Sequence, residues 1–352
     1  MRGLVLEGVR RIAYRDDLPD PTIQAPTDAV IAVSRAGLCG SDLHPYEGRE
    51  AVRFGVVPGH EAVGTVVAVG GDVARFAVGQ RVLVPFTTSC GRCGPCLRGL
   101  TARCVHGASF GSAPADDPTA PALPGGQAEA VRVPLADSTL VAVPDGINDG
   151  AAVLLTDNLP TAWCAVERAA VAAGGTVVIV GLGAVGLCAV AAARHHGAGT
   201  VVAVDPVASR RARAARLGAA TATPEEAPAC VGIGRRDGGA HAVIDAAGTT
   251  TAQALACSLL HPGGTLSVIA FHTADRFGFS PMQAYDANLT VRFGRASVRA
   301  ALGRVMPHAS RLLATVADVV ISHPAVPLED GADSYRWFAQ RRADTVKVVF
   351  AP

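Results

Sequence analysis

Thr176–Gly186 reads TVVIVGLGAVG, and this stretch decides the fold. Its first five residues are β-branched and unbroken by charge, the pattern of a strand buried on both faces. Glycines follow at Gly181, Gly183 and Gly186 in a G-x-G-x-x-G pattern, with Leu182, Ala184 and Val185 between them. Gly181 allows a tight turn, Gly183 lets the backbone approach a pyrophosphate, and Gly186 lets the next helix pack closely on the strand. That helix, expected over Ala184–His195, offers free N–H groups and a positive dipole end to the phosphates.

In a chain with 39 glycines the pattern alone is weak, and its context makes it specific. Asp205 closes the next expected strand, Thr200–Asp205, nineteen residues after Gly186. A carboxylate there accepts hydrogen bonds from a ribose hydroxyl and repels a 2′-phosphate, which favours NAD. Arg210 is close enough to reach the adenosine ribose, and Arg210 with Arg211 keeps NADP open. The competing reading is a Rossmann-like domain that binds something else.

Working outward, strands at Ala242–Asp245 and Thr265–Ala270 and a helix at Ser209–Leu217 continue the alternation, which implies a doubly wound parallel sheet. The first 150 residues instead read as short strands, among them Val30–Val33, Gly64–Val69 and Arg81–Val84. Segment 111–126, GSAPADDPTAPALPGG, reads as an exposed loop, with an active-site flap as the alternative. From about Arg292 the alternation is lost, and the last strand, Thr345–Phe350, is expected to rejoin the first domain.

The bulk numbers fit this division. The chain has 352 residues, enough for two domains. A formal net charge of +1 gives no field for nucleic acid and no acidic excess for disorder. The opening MRGLVLEGVRR lacks the apolar stretch and cleavage site of a secretory signal, and no apolar run reaches membrane-spanning length. A cytoplasmic protein without membrane or nucleic-acid partners is the expectation. Nine cysteines in such a chain argue against a disulfide framework.

Four of those cysteines, Cys90, Cys93, Cys96 and Cys104, form C-x2-C-x2-C-x7-C. Four thiolates match the tetrahedral preference of zinc and leave no open position for chemistry, so a structural zinc site is expected, with a redox C-x-x-C role as the alternative reading. Cys39 in GLCGSDLH, His60 and Glu61 in PGHEAVG, and Asp157 in LLTDNLP supply a second set of donors. Cysteine, histidine and a carboxylate suit zinc, and three protein ligands leave a place for substrate. Singly, each of these residues is as readily core as ligand.

GHEAVGTVVAVGGDV fits the zinc alcohol dehydrogenase signature G-H-E-x2-G-x5-[GA]-x2-[IVSAC] at every fixed position. With C-G-S-D-x-x-H, the four-cysteine lobe and the glycine loop in this order, the chain resembles the zinc-containing medium-chain dehydrogenase/reductase family over essentially its whole length. The resemblance implies a β-rich GroES-like catalytic domain over 1–157, carrying the zinc lobe at 90–104. It implies a Rossmann NAD-binding domain over 158–291 and a return of 292–352 to the catalytic domain.

It further implies two zinc ions per chain, one catalytic and one structural, and a homodimer or homotetramer paired through Rossmann edge strands. Cys39 and His60 match catalytic zinc ligands. Asp157 stands where liver-type members have a cysteine and is similar to the aspartate of bacterial formaldehyde dehydrogenase-like members. Glu61 matches a glutamate that can approach the zinc. Ser41 and His44 match a proton relay, Phe86 a substrate-pocket wall, and Lys347 a basic position near the cofactor phosphates. Asp42 is expected to support ligand geometry and Cys164 to be core.

Two departures stand out. Gly40 replaces a basic residue found in some members, and G-G-F-A-E-Y appears as GGQAEAV at Gly125–Val131, losing both aromatics, so an altered pocket is expected. The implied reaction is hydride transfer between an alcohol or carbonyl substrate and NAD, with zinc as Lewis acid. The competing functions are an NADPH-dependent carbonyl reductase of a biosynthetic pathway, a non-catalytic nicotinamide-binding protein and a scaffold in a biosynthetic assembly.

Overall fold

The computed structural model describes residues 1–116, 119, 121–234, 238–340 and 345–352. Residues 117, 118 and 120 of the expected 111–126 loop therefore lie outside the described residues, as do 341–344, just before the expected last strand. The chain forms two compact units. The first comprises Met1–Asp157, Ser297–Ser310 and Ile321–Pro352, and the second Asn158–Ala296 and Arg311–Val320.

The first unit opens with the antiparallel ribbon β1 (Gly3–Gly8) and β2 (Arg11–Arg15). Its main sheet contains β3 (Ala29–Leu38), β4 (Ala62–Val69), β5 (Arg81–Val84), β6 (Ala130–Val133) and β7 (Val141–Ala142). The second unit supplies β8 (Thr176–Val180), β9 (Thr200–Val204), β10 (Ala220–Ala222), β11 (Ala240–Asp245), β12 (Leu260–Val268) and β13 (Thr290–Phe293). Two late strands, β14 (His323–Pro327) and β15 (Val348–Ala351), return to the first unit.

In the first unit the order is β14-β15-β3-β4-β5-β7, with β6 also on β3. β3 serves three neighbours because β4 runs along it while β6 pairs with Ala29–Ala32 and β15 with Ala36–Leu38, and the β4 register shifts at Val30/Ile31 and Val33/Arg35. Leu4, Ile31, Leu38, Val66, Val82, Leu140 and Phe350 sit in one core cluster. The last strand thus closes the first unit, and β15 pairs antiparallel with β3.

In the second unit all six strands are parallel in the order β10-β9-β8-β11-β12-β13. The order reverses at β8, which places the glycine loop at the crevice where doubly wound sheets bind ligands. Val177–Ile179 are wholly buried, as a strand covered by helices on both faces requires. The boundary differs from the expected return at 292: Arg311–Val320 clusters with the second unit. Arg213 Nη1 donates to the Val319 carbonyl (2.6 Å), and Arg311 Nη2 lies near His195 Nδ1 (2.5 Å), so this stretch is tied to nucleotide-unit helices. Among the described residues no helix is long and apolar enough to cross a membrane.

Candidate active site

Cys39 follows the last residue of β3, and His60 and Glu61 immediately precede β4. The two strands are antiparallel neighbours with Ala36 opposite Ala62, so the pairing itself brings Cys39 beside His60 and Glu61. Asp157 arrives from a helix, Asp149–Thr156, at whose C-terminus the backbone leaves helical geometry (φ −152°, ψ −69°). The other end of that helix is anchored. The Asn148 side chain accepts from Ala151 N–H (2.9 Å), and Asp149 accepts from Ser34 Oγ (2.6 Å) and Arg81 Nε (3.1 Å).

One ligand atom from each of Cys39, His60, Glu61 and Asp157 falls within 4.8 Å of every other. Cys39 Sγ lies 3.5 Å and His60 Nε2 3.7 Å from Asp157 Oδ2. Ser41 Oγ lies 3.3 Å from both Cys39 Sγ and His60 Nε2. The donor set fits zinc: a soft thiolate, an imidazole and a carboxylate converge, and the buried groups otherwise repel or desolvate one another. Burial, then the Asp157 charge, pushes the Cys39 thiol up. Burial disfavours a charged His60, yet Asp42 and Asp157 outweigh it and raise the imidazole well above its usual range. A divalent cation supplies the positive charge that this cluster draws from a proton in its absence.

His60 Nδ1 donates to Asp42 Oδ1 (3.0 Å), which fixes the ring and leaves Nε2 facing the cluster. Asp42 Oδ2 accepts from the Cys39 N–H (2.9 Å) and from Gln127 Nε2 (3.4 Å). Gln127 is wholly buried, donates to the Gly37 carbonyl (3.1 Å), and accepts from Tyr335 Oη (2.8 Å). Gly59 has φ +90°, and a Cβ there would overlap the Gln127 side chain, so glycine is required on both counts. The residue that replaces an expected aromatic is thus a buried polar brace behind Asp42. Nothing in its local spacing marks Gln127 or Tyr335, which are 208 positions apart. Replacing Asp42 by alanine will weaken zinc binding at this cluster about 10- to 100-fold, measured by competition with a chromogenic chelator.

Lys347 and Glu61 form a second buried element. The ammonium binds Glu61 Oε2, and the side chains are 1% and 0% exposed. In this structure Lys347 is enclosed on a carboxylate, where the pair offsets two desolvation costs. Gly37 makes the room, because a Cβ there would overlap the Glu61 carboxylate. Burial raises the Glu61 pKa and Lys347 opposes that rise. His44 is buried on the short helix Leu43–Tyr46, which continues directly from the Ser41 turn. Phe86 stands edge-on to His60, with centroids 6.1 Å apart, and Cys164 is buried in its helix.

Cys90, Cys93, Cys96 and Cys104 form the other cluster, again within 4.8 Å. Cys90 N–H donates to Cys104 Sγ (3.2 Å), and Cys93 N–H to Cys90 Sγ (3.4 Å). Backbone N–H groups of Cys96 and Val105 draw the Cys93 thiol down to about 6, which favours thiolate. Leu97, Leu100 and Val105 around it are exposed, so the lobe has little core of its own. Replacing Cys93 by serine will remove one zinc per chain and open 90–104 to limited proteolysis while the rest stays resistant.

In the second unit, Gly181 has φ +91° and a Cβ on Gly186 would overlap the Gly181 carbonyl. A Cβ on Gly183 would meet nothing, the open space that a phosphate cradle needs. Asp205 Oδ2 accepts from Leu182 N–H (2.8 Å) and Oδ1 from Val207 N–H (2.8 Å), which ties the carboxylate to the glycine loop. Arg210 Nη1 lies 3.8 Å from Asp205 Oδ2. Arg211 Nη1 donates to the Asp205 and Pro206 carbonyls (2.7 and 2.9 Å), so it is turned back onto its own loop. These residues fit a nicotinamide dinucleotide.

Comparison with known proteins agrees with this geometry. A profile of the alcohol dehydrogenase GroES-like domain matches residues 25–145, and one of the zinc-binding dehydrogenase domain matches 184–313. The chain is 36% identical to a probable zinc-binding alcohol dehydrogenase of Mycobacterium tuberculosis, covering 100% of this chain and 89% of that protein. It is 33% identical to zinc-type alcohol dehydrogenase B of Aspergillus flavus, over 99% and 81% of the two chains. The structure of alcohol dehydrogenase TADH from Thermus sp. ATN1 superimposes with a TM-score of 0.88 at 32% identity, covering 100% and 99%. A GroES-like unit and a parallel-sheet nucleotide unit, with a Cys/His/carboxylate cluster and a four-cysteine cluster, make this chain a member of the zinc-dependent medium-chain dehydrogenase/reductase family.

Proposed function

We propose that the enzyme interconverts an alcohol and its carbonyl compound with NAD, using zinc held by Cys39, His60 and Asp157. The observation that carries this reading is the convergence of those three donors, with His60 Nε2 turned inward by Asp42. When bound, zinc supplies Lewis-acid polarisation of the substrate oxygen and NAD supplies the hydride acceptor. The protein's own part is positioning and proton handling. Ser41 Oγ, at the edge of the donor cluster, holds the proton leaving the substrate hydroxyl. His44, on the next turn, is the group that passes it on, because an imidazole can both accept and donate a proton. Glu61 stays on Lys347 and acts as a buried counter-charge near the cluster.

Preference for NAD is supported by Asp205, a carboxylate just past β9 that would repel a 2′-phosphate, and by the inward turn of Arg211, which donates to its own loop. Pairing of two copies through β13 is supported by the exposed aromatic surface there: Phe293 and Phe277 are 45% and 60% exposed, with ring centroids 5.2 Å apart. The experiment is NADH formation across alcohols, polyols and amino alcohols, with NADP in parallel, before and after zinc chelation. NAD-linked turnover of one class, lost on chelation, is the expected result. Turnover that survives removal of both zincs, or runs faster with NADP, overturns the corresponding part of the proposal. Light scattering that finds a monomer overturns the pairing.

A further inference from the structure

A cavity of about 410 Å³ in the first unit lies away from both cysteine-bearing clusters in its lining residues. It is lined by Arg75 and Arg299 with Phe76, Leu140, Leu302 and Met306, among others. Its size falls in the range of small-molecule sites. Two arginines, exposed Arg75 and half-buried Arg299, line one cavity, and their like charges favour a carboxylate or a bound anion between them.

The structure provides no carboxylate for Arg299 among the described residues. Its Nε is buried without a hydrogen-bond partner. Burial, and then the charge of Arg75, lower its pKa, and no acidic neighbour raises it. The helix Val298–Val305 adds a further cost, since Arg299 occupies its first turn, where the dipole disfavours a cation. Asp137 is the carboxylate beside Arg75, and its oxygens accept from the Ala74 and Arg75 backbone N–H groups (both 2.9 Å). The Arg75 guanidinium donates through Nη1 to the backbone carbonyl of Asp137 (2.8 Å) and lies over the Phe76 ring, 6.0 Å from its centroid, with no carboxylate oxygen on it among the contacts of the described residues. A buried polar group left unsatisfied in this way needs an explanation, and an anion supplies one.

We propose that Arg75 and Arg299 form a binding site, separate from the zinc centre, for a small carboxylate with a short apolar body. The two guanidiniums take the oxyanion, and Phe76, Leu140, Leu302 and Met306 cover the alkyl part. The helix that carries Arg299 starts at Ser297, whose Oγ accepts from Ala102 N–H (3.4 Å) in the cysteine lobe, so an occupant also braces that lobe.

The test is calorimetric titration of the zinc-loaded enzyme with hexanoate and, separately, with inorganic phosphate. Wild type is expected to bind hexanoate with an affinity that falls as salt rises. Arg299→Met and Arg75→Met are each expected to weaken it about tenfold or more, and Arg299→Lys to retain part. Arg299→Met is also expected to melt no lower than wild type, since it removes a charge with no internal partner. No heat with wild type, unchanged binding by Arg299→Met, or a clear loss of melting temperature in that variant overturns the proposal. Phosphate binding as tight as hexanoate overturns the amphiphile assignment. A change of oligomer mass in Arg299→Met assigns the site to a carboxylate of a second copy and overturns it equally.

Discussion

Replacing Lys347 by methionine will destabilise the protein by about 3–5 kcal/mol, the cost of leaving a buried carboxylate without its counter-ion. Glu61 is wholly enclosed, with Gly37 backbone against it and Asp157 nearby, so it cannot turn to water. In a chain of this size the melting midpoint should fall by roughly 6 °C or more. The partner substitution separates this cause from lost packing. Glu61→Gln combined with Lys347→Met leaves two neutral groups and should recover a large share of the loss, since a buried pair is often replaceable as a unit. Paired melting curves decide it. A Lys347→Met variant as stable as wild type, or a double variant worse than both singles, contradicts the assignment of Lys347 to Glu61.

Cys39→Ala and Asp157→Ala will each lower turnover about a thousandfold or more. Each removes one of the three donors proposed to hold the catalytic zinc, and loss of Lewis-acid stabilisation is worth several kcal/mol of barrier at about 1.4 kcal/mol per tenfold. The fold should survive both changes. Cys39 is partly accessible, and Asp157, though buried, sits at a joint where the backbone is already non-helical and faces other polar donors rather than the apolar core. Near-native melting with abolished turnover is the expected pair of results. Turnover within tenfold of wild type for either variant contradicts its role as a ligand.

What the sequence made legible is what short spacing can carry. The glycine loop, the four-cysteine lobe and the alternation after Gly150 are local patterns, and each sits on the element expected. The metal cluster was legible as separate donors because Cys39 and His60 stand in dense short motifs. Asp157 is offered by its residue type alone and gains its ligand role from the family resemblance, since a lone aspartate between two helices has no spacing to mark it. The residues that hold the cluster in place were less legible. Asp42 reached His60 as a supporting residue in expectation, but Gln127 and Tyr335 behind it are a neutral pair joined only by the fold. The resemblance implies a place near the cofactor phosphates for Lys347, and nothing local marks its contact with Glu61, 286 positions away just before β4; the two meet because β15 and β4 flank β3. Long-range polar partners are written in topology, not in periodicity.

The most direct test of the account is zinc per chain, counted by mass spectrometry of elements, in wild type, Asp157→Ala and Cys93→Ser. Two zinc atoms are expected in wild type and one in each variant, with NADH formation lost in Asp157→Ala. A single zinc in wild type, or two in Asp157→Ala with turnover intact, would contradict the claim that Cys39, His60 and Asp157 build the catalytic metal centre.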